Sequence, residues 1–403
     1  MKKHIVCIAS EQKGNEFLEQ ASADGWRVTL VTRKSLLDAA WAWDAISEVR
    51  AVEEPAQPID YVRTITNIAG SEKIDRVVGL DEFDVITAAL TREHLQLPGM
   101  TSSYLRRFRD KLTMRNLAAA NGIPCPDFIG AFNEQDVNAF LDRVPAPWIV
   151  KPRFEVSAFG IRKCETADEV WGVLNDLDNR NNWRDHPSQF LIERFVEGRV
   201  FHVDSVVEGG KVRAAGVSQY GTAPFSVTHH GGVFTSSTVP YRTALRRSLE
   251  TVNTHLLKAF EYDRGVTHAE FLQSSATGEI FLLEVACRVG GAYIANALEY
   301  ACNFNLWREW AKLETATKEH PYKLPKSRKE FAGVALALAN TEEPNTGNYV
   351  EEEIVYRVKK SRHVGFIFHS SNQKRIEELL SNYSERIAND FLAVAPAKER
   401  YDD

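Results

Sequence analysis

The sequence predicts a multidomain protein that combines α/β and α+β parts, and three observations carry this prediction. At 403 residues the chain is too long for one ordinary domain. Strand and helix patterns alternate over roughly the first 100 residues, and such alternation is typical of a doubly wound, Rossmann-like parallel sheet. From Pro145 onward, short strand patterns and hairpins replace the alternation. We therefore expect a doubly wound N-terminal domain followed by a part built on antiparallel strands.

The composition is that of a globular protein, and it argues against nucleic acid as the main partner. Apolar residues make up 44% of the chain and charged residues 26%, so sizeable cores can form. The 49 Lys and Arg residues against 55 Asp and Glu residues leave a net charge of −6, whereas nucleic-acid binding usually needs a basic surface. The five cysteines have no paired spacing, and the apolar run Phe331 to Ala339 is far below membrane-spanning length. We expect a cytoplasmic protein with no membrane partner.

The N-terminal elements follow from runs with buried-strand or helical spacing. The predicted strands are His4–Ala9, Arg27–Thr32, Ile46–Val52 and Asp75–Leu80. The predicted helices are Gly14–Asp24, Ile59–Ala69 and Asp81–Leu90. Ligands of a doubly wound sheet collect at the carboxyl ends of its strands, which here include Asp81 and Glu82. The turn after the first strand lacks the G-x-G-x-x-G pattern, so a dinucleotide site loses its main support.

The later elements are predicted from the same signals. One long helix, Ser103–Asn121, should end at Gly122, because a glycine followed by prolines stops a helix. Further strands are predicted at Trp148–Lys151, Phe190–Glu193, Arg199–Val207, Lys211–Ser218, His268–Gln273 and Glu279–Val285. Helices are predicted from after Tyr241 to about Phe260 and over Ala292–Leu313. A small α+β part should follow, with strands Ala332–Ala339, Glu352–Lys359 and Val364–His369 and the helix Arg375–Ile387.

Two glutamates are the most informative feature of the sequence. A turn centred near Ala276 joins two strand patterns and sets Glu270 opposite, or nearly opposite, Glu284. Residues directly across an antiparallel pair have Cβ atoms roughly 4.5–5.5 Å apart and share a face. Two carboxylates so close repel each other unless a cation lies between them, and Mg²⁺ is bound through one or two carboxylates plus substrate phosphates. The pair predicts a magnesium site, and the alternative is an exposed hairpin with incidental acids.

Positive charge and glycine follow the second glutamate. Arg288 is four residues beyond Glu284, and a guanidinium beside a metal can stabilise a transferring phosphoryl group. Gly290 and Gly291 open the next predicted helix, where a ligand can approach backbone N–H groups. Lys111 and Lys151 are candidates for phosphate contact, although a lysine taken alone is more often a solvated surface charge.

Several segments occur together in a recognisable order. They are Asp110-Lys111, Met114-Arg115, Gly122–Pro124, Ile149–Pro152, Ser157–Ile161, Leu191–Gly198, Glu270 and Leu283–Gly291. This pattern resembles the ATP-grasp superfamily, specifically its carboxylate–amine ligase branch, which includes L-amino acid ligases that make dipeptides. The resemblance runs from residue 1 to beyond residue 320, and the C-terminal part is also similar to an extra subdomain of that branch.

The resemblance implies an ATP-grasp fold with defined parts. These are a Rossmann-like pre-ATP-grasp domain at residues 1–105, an ATP-grasp domain at 106–325 and an α+β subdomain at 326–403. Within the middle part, a lid would cover about 125–200 and a core with the metal site about 201–325. The implied cofactors are ATP and Mg²⁺, with Mn²⁺ able to substitute, and the implied partners are a small-molecule carboxylate and amine. A homodimer is one open assembly state.

The resemblance also implies roles for individual residues. The ATP contacts would be Lys111, Lys151, Ser157, Gly160, Glu193, Phe195 and Val196. The metal ligands would be Glu270 and Glu284, and the catalytic residues Arg288, Lys151 and His268. The substrate would lie near Arg288, Gly290, Gly291, Glu82 and His268. For His268 the alternative is a hydrogen-bonded strand histidine with no contact to substrate.

Three positions depart from the pattern of many relatives. Ala286 stands where a metal-binding Asn is common, which leaves the number of Mg²⁺ ions open. Val200 stands where a ribose-binding Glu is common, and Asp204 is the candidate replacement. The phosphate loop has Gly160 as its one glycine. The adjacent His229 and His230 suggest a loop near the substrate entrance.

The implied reaction has two steps. ATP phosphorylates a carboxylate, and an amine then attacks the acyl-phosphate and expels phosphate, with a lid excluding water. One alternative is another ATP-grasp activity, such as carboxylation or ligation to an amine that is not an amino acid. The other is a nucleotide-binding protein without catalysis, against which the joint presence of Glu270, Glu284, Lys151 and Arg288 argues.

Overall fold

The N-terminal sheet of the computed structural model is parallel, as the alternating pattern predicts. Its four strands run in the order β3-β2-β1-β4. They are β1 (His4–Ala9), β2 (Arg27–Arg33), β3 (Glu48–Val52) and β4 (Arg76–Gly79). All six residues of β1 are buried, which explains its unbroken apolar pattern, because a central parallel strand is covered on both faces. The structure describes residues 2–155, 159–179, 190–222 and 231–393.

Three helices pack against this sheet. They are α1 (Asn15–Ala23), α2 (Pro58–Ala69) and α3 (Asp84–His94). The third begins three residues later than predicted, because Asp81 forms a turn after β4: its carbonyl accepts the Asp84 N–H at 3.0 Å. The turn leaves Asp81 and Glu82 at the carboxyl end of β4, the edge where ligands of such sheets bind.

The helix predicted over Ser103–Asn121 is wrong, because the chain breaks there into shorter pieces. These are α4 (Ser102–Leu105), the 3₁₀ turn Arg106–Phe108 and α5 (Lys111–Ala120). Asp110 is extended and caps α5, accepting the Leu112 N–H at 3.1 Å. An N-cap carboxylate satisfies helix donors that would otherwise have no partner. The break places Lys111 at the start of a helix rather than in its middle.

A second, smaller sheet follows. It has four strands in the order β5-β8-β6-β7. They are β5 (Phe128–Gly130), β6 (Trp148–Pro152), β7 (Arg162–Cys164) and β8 (Phe190–Arg194). The helices α6 (Glu134–Arg143) and α7 (Ala167–Asn179) accompany it, and Phe140 and Val170 contribute to its core.

The third sheet has eight strands in the order β13-β12-β9-β10-β11-β14-β16-β15. Its first five strands in chain order are β9 (Gly198–Glu208), β10 (Lys211–Tyr220), β11 (Phe234–Thr238), β12 (Gly265–Ser274) and β13 (Ile280–Ala286). The C-terminal strands β14 (Phe331–Leu338), β15 (Ile354–Arg357) and β16 (His363–Ser370) extend the same sheet through the pairing of β11 with β14. The helices α8 (Ala244–Ala259) and α11 (Gln373–Asp390) cover it.

The helix predicted over Ala292–Leu313 is also wrong, because two helices occupy this stretch. They are α9 (Ile294–Cys302) and α10 (Leu306–Thr315). Asn303 has a φ of 63°, and Asn305 caps α10 by accepting the Trp307 N–H at 2.9 Å. Within the described part of the chain, no helix has both the length and the apolar content needed to cross a membrane.

Candidate active site

A cavity of about 690 Å³ opens between the small sheet and the β12–β13 edge of the large sheet. This volume lies within the range of sites for small molecules and cofactors. Predicted site residues that line it are Lys111, Lys151, Glu193, Phe195, Val196, His268, Glu270, Glu284, Arg288 and Gly291. Side chains far apart in the sequence therefore converge on one cavity.

Glu270 and Glu284 lie directly opposite each other in the β12–β13 ladder, as the turn position predicts. Glu284 is partly exposed and forms an ion pair with Lys111, with Nζ and Oε2 3.0 Å apart. Glu270 accepts a hydrogen bond from the Tyr220 hydroxyl at 2.7 Å. Each carboxylate thus has a partner, and both face the same cavity.

The carboxyl of Glu270 is held in its ionised form. Burial disfavours the charge, but hydrogen bonds from His268 and Tyr220 outweigh it and lower the pKa of Glu270 to about 2. A carboxylate that stays charged at neutral pH can bind a hard cation.

Lys151 faces the cavity from β6 and shares Glu193 with a second cation. Its Nζ lies 2.5 Å from Glu193 Oε2, and Arg115 Nε lies 2.5 Å from Oε1 of the same carboxylate. Burial is the main cause that lowers the pKa of Lys151 to about 8, although Glu193 opposes it. Arg115 is fully buried, so two positive charges share one negative charge. The group therefore carries a net positive charge beside the cavity.

Lys111 connects the carboxylate pair to the segment that follows β6. Its Nζ donates to the Glu155 carbonyl at 2.6 Å, and its backbone N–H donates to the Arg153 carbonyl at 3.0 Å. Arg153 in turn forms an ion pair with Asp110. These contacts fix the start of the predicted phosphate loop against α5.

Arg288 lines the cavity from the loop after β13 and is held by Glu82. Arg288 Nε donates to Glu82 Oε2 at 2.7 Å, and Arg109 Nη1 donates to Oε1 at 2.7 Å. Burial disfavours the Glu82 carboxylate, but the two arginines lower its pKa to about 2. Glu82 was expected to lie near the substrate, yet it is only 3% exposed and both of its oxygens bind arginines. Its contacts position Arg288 instead.

The position of Asp204 argues against the prediction that this residue contacts a ribose. Its side chain has no exposed surface, and its oxygens bind His202 Nδ1 at 2.5 Å and His268 Nδ1 at 2.8 Å. A fully buried carboxylate cannot reach a ribose. His202, Asp204 and His268 bring potential metal-binding atoms within 4.8 Å of one another, but their mutual hydrogen bonds account for this cluster.

His268 connects the buried Asp204 to Glu270 of the carboxylate pair through hydrogen bonds. Its Nε2 lies 3.3 Å from Glu270 Oε1 and 3.2 Å from the Tyr220 hydroxyl. Burial disfavours its charged form, but Asp204 and Glu270 raise the pKa of His268 to about 9. His268 lies in the cavity wall and is held by hydrogen bonds to Asp204 and Glu270, so its contact with substrate stays a prediction.

The two glycines after Arg288 have different surroundings. A Cβ on Gly290 would lie 2.8 Å from His268 Nδ1, so this glycine is required by packing against the histidine rather than by a ligand. Gly291 lines the cavity, and nothing lies within 4 Å of where its Cβ would be. Ala292 and Tyr293 then adopt positive φ angles of 51° and 60° before α9 begins.

The other end of the cavity is lined by the segment after β8. The Phe195 N–H donates to the Pro147 carbonyl at 2.9 Å, and Lys163 Nζ lies 4.7 Å from the centre of the Phe195 ring. Among the residues that the structure describes, no acceptor takes the Val196 N–H. Gly160 has a φ of 66° and lies between two cavity residues. Ser157, His229 and His230 lie outside the described residues.

Sequence reasoning missed functional neighbours of these residues. They are Arg109, Arg115, His202 and Tyr220. A signal existed for Arg115, because it follows Lys111 by four residues and so shares its helix face. No local signal marked Tyr220, which reaches Glu270 only because β12 and β10 both pair with β9.

Comparison with known proteins agrees with this geometry. Residues 144–296 match the ATP-grasp domain family. The chain is 23% identical over 236 residues to an L-arginine-specific L-amino acid ligase from Bacillus subtilis, covering 58% of this chain and 56% of that protein. It is 31% identical over 160 residues to carnosine synthase 1 from Homo sapiens, covering 35% of this chain and 19% of that protein. The chain thus spans about half the length, or less, of these curated relatives.

Solved structures extend the likeness to almost the whole chain. An L-amino acid ligase from Bacillus licheniformis superposes with a TM-score of 0.78 at 16% identity, covering 98% of each chain. An N5-carboxyaminoimidazole ribonucleotide synthetase from Thermus thermophilus gives a TM-score of 0.71 at 18% identity, covering 97% of this chain and 99% of that one. At such identities the likeness shows the fold. Residues 144–296 thus match the ATP-grasp domain family, and nearly the whole chain has the fold of these two solved structures.

Proposed function

We propose that this protein is an ATP- and Mg²⁺-dependent ligase that joins a carboxylate to an amine through an acyl-phosphate. The observation that carries the proposal is the convergence of Glu270, Glu284, Lys151 and Arg288 on one cavity. The relatives named as amino acid ligases support amino acids, or similar small metabolites, as substrates.

The two glutamates suit a magnesium ion. Both present hard oxygen donors to the cavity from opposite positions of a rigid ladder, which is the donor chemistry that Mg²⁺ prefers. The bound ion would neutralise phosphate charge during phosphoryl transfer. The Glu284 carboxylate also pairs with Lys111, so this lysine would lie close enough to the magnesium site to contact the phosphates of ATP.

The protein's own groups would arrange the nucleotide around this pair. Lys151 and Lys111 supply positive charge for the phosphates. The Val196 N–H lacks an acceptor within the described residues and is available to a purine ring nitrogen. Such contacts mainly position the reactants, which is the principal contribution of a protein to phosphoryl transfer.

Arg288 would act on the substrate carboxylate. Because Glu82 holds its Nε, the remaining guanidinium donors are fixed in direction, with Nη1 bonded to the Val289 carbonyl at 2.9 Å. A fixed cation stabilises charge that develops on an oxygen in the transition state without reorganising during the step. The amine would then attack the acyl carbon, form the amide bond and expel phosphate.

The test measures phosphate release on mixing the protein with Mg-ATP and single or paired amino acids. We expect release that depends on a carboxylate and an amine, and we expect Glu284→Ala to abolish it. The matched control is Glu279→Ala, which changes an exposed glutamate next to the same hairpin and should leave release unchanged.

Three outcomes would contradict the proposal in different ways. Near-normal turnover by Glu284→Ala, in a variant that melts like the wild type, would remove the metal assignment. Release that requires bicarbonate, with no amide product by mass spectrometry, would instead indicate a carboxylation. The absence of release with every pair would favour nucleotide binding without catalysis.

A further inference from the structure

A second cavity, of about 540 Å³, lies behind the segment that carries Arg288. Its walls are β4, part of α3, the linker around Met100, the turn after α8 and part of α10. Cys287 lines this cavity, whereas the next residue, Arg288, lines the candidate active site. Adjacent residues of the chain therefore line two different cavities.

Arg92 presents a preorganised guanidinium to this cavity. Its Nη1 donates to the Val77 carbonyl and its Nη2 to the Met100 carbonyl, both at 2.9 Å, which fixes the plane of the group. Its Nε is buried against Gly99 without a hydrogen-bond partner among the described residues, so a ligand in the cavity would meet Arg92 through its Nη groups. No described carboxylate forms an ion pair with Arg92. A cation bonded only to neutral carbonyls has no directly bound negative partner to offset the cost of its burial.

Burial at this position has an electrostatic cost. Desolvation lowers the pKa of Arg92, and the nearby Glu314 offsets this only in part. A bound anion would remove the cost, because the planar guanidinium matches the geometry of a carboxylate.

Among the other charged residues that line the cavity, Glu261 and Glu314 have a charged partner, whereas Arg264 and Asp263 have none within the described residues. Glu261 forms an ion pair with Arg107 at 2.5 Å, and Glu314 lies 3.8 Å from Arg76. Arg264 donates to the Leu313 carbonyl and pairs with no carboxylate in the described part of the chain. Asp263 lines the cavity and pairs with no cation within the same residues.

We propose that this cavity binds an acidic amino acid, with its two carboxylates against Arg92 and Arg264 and its ammonium group near Asp263. Two unpaired cations and one unpaired anion are the complement of a molecule with two carboxylates and one ammonium group. The site is distinct from the cavity that carries the proposed ligase chemistry, since the two share no lining residue.

Isothermal titration calorimetry of the full chain with L-glutamate and L-aspartate, in the absence of ATP, tests the proposal. We expect saturable binding of at least one of them, weakened about tenfold or more in Arg264→Gln, because a hydrogen bond to a charged group is lost. Arg92→Gln should weaken binding as strongly. The matched control is Arg247→Gln, which changes an exposed arginine of α8 that likewise donates to a carbonyl.

One further variant separates this cavity from the candidate active site, and another tests the contact with the ammonium group. Arg288→Gln should retain binding, because Arg288 lines only the other cavity. Glutarate, which lacks the ammonium group, should bind the wild type more weakly than L-glutamate, and Asp263→Asn should remove that difference.

Several results would overturn the proposal. They are the absence of binding by both amino acids, unchanged affinity in Arg264→Gln and Arg92→Gln, and loss of binding in Arg288→Gln. Equal affinity for glutarate and L-glutamate would overturn the assignment of Asp263. None of these measurements requires turnover, so they stand or fall independently of the proposed ligase activity.

Discussion

Two buried glutamates beside the candidate active site are each shared by two cations, and the two groups differ in one instructive respect. The first group is Glu193 with Arg115 and Lys151, and the second is Glu82 with Arg109 and Arg288. Both glutamates are only 3% exposed. In each group one cation is buried behind the carboxylate and the other faces the cavity, so each carries a net positive charge toward the ligand.

The difference lies in the cation that faces the cavity. Burial lowers the pKa of Lys151 to about 8, so this group can lose its charge just above neutral pH. Burial acts on Arg288 in the same direction, but Glu82 outweighs it and raises the Arg288 pKa. An arginine stays charged at any ordinary pH. Above about pH 8 the Glu193 group therefore loses its net positive charge, whereas the Glu82 group keeps its own.

Removing the shared carboxylate should break the Glu193 group most severely. Glu193→Ala would leave Arg115 and Lys151 buried without a negative partner, which costs about 3–5 kcal/mol of the free energy of unfolding. Urea denaturation followed by circular dichroism would measure the loss. A loss below about 1 kcal/mol would show that the two cations find other partners.

Shortening the cavity-facing cation of the Glu82 group should affect the rate rather than stability. Arg288→Lys keeps the charge but cannot both bind Glu82 and present fixed donors to the cavity. We expect the kcat for phosphate release to fall by about 10²–10³-fold, the usual loss when one fixed donor is removed. A kcat within tenfold of the wild type would contradict the positioning role of Glu82.

Raising the pH should distinguish the two groups. The pKa of Lys151 in the folded chain is below that of a free lysine, so the charge is present below about pH 8 and is lost above it. We expect ATP binding to weaken by up to about tenfold per pH unit above pH 8. Lys151→Arg should flatten this dependence. An unchanged profile in that variant would assign the titration to another group.

An exposed pair gives the smallest expected effect and completes the series. Lys34 and Glu53 lie 3.0 Å apart, but their side chains are 60% and 78% exposed. Because water screens the pair, Glu53→Ala should change the free energy of unfolding by no more than about 0.5 kcal/mol. A larger change, measured with the same urea denaturation, would show that burial is not what separates the Glu193 group from ordinary ion pairs.

The sequence predicted what depends on local spacing. The opposition of Glu270 and Glu284 follows from the turn position alone, and the parallel N-terminal sheet follows from alternation. The breaks at Asp110 and Asn305 were missed, because apolar periodicity continues across both residues while their side chains cap the next helix. An N-cap residue inside a periodic run was the available signal.

The burial of site residues could not be predicted in the same way. Asp204 follows Val203 on an alternating strand and looks like a solvent-facing acid, yet histidines from two strands enclose it. Glu82 lies just beyond the end of β4, where ligand-binding acids are common, but its partner Arg288 is 206 residues away in the chain. Ion pairs between distant elements depend on how those elements pack, and periodicity does not report that.

The junction of β11 with β14 links the C-terminal strands to the strands that carry the two glutamates. Shortening the chain after α10 would uncover β11 as a bare edge, a template on which other chains can add strands. Purification of such a fragment should give aggregates rather than a smaller working protein. Protein engineers who seek a minimal version should therefore trim elsewhere, because residues far from the cavity in sequence complete the sheet on which the cavity is built.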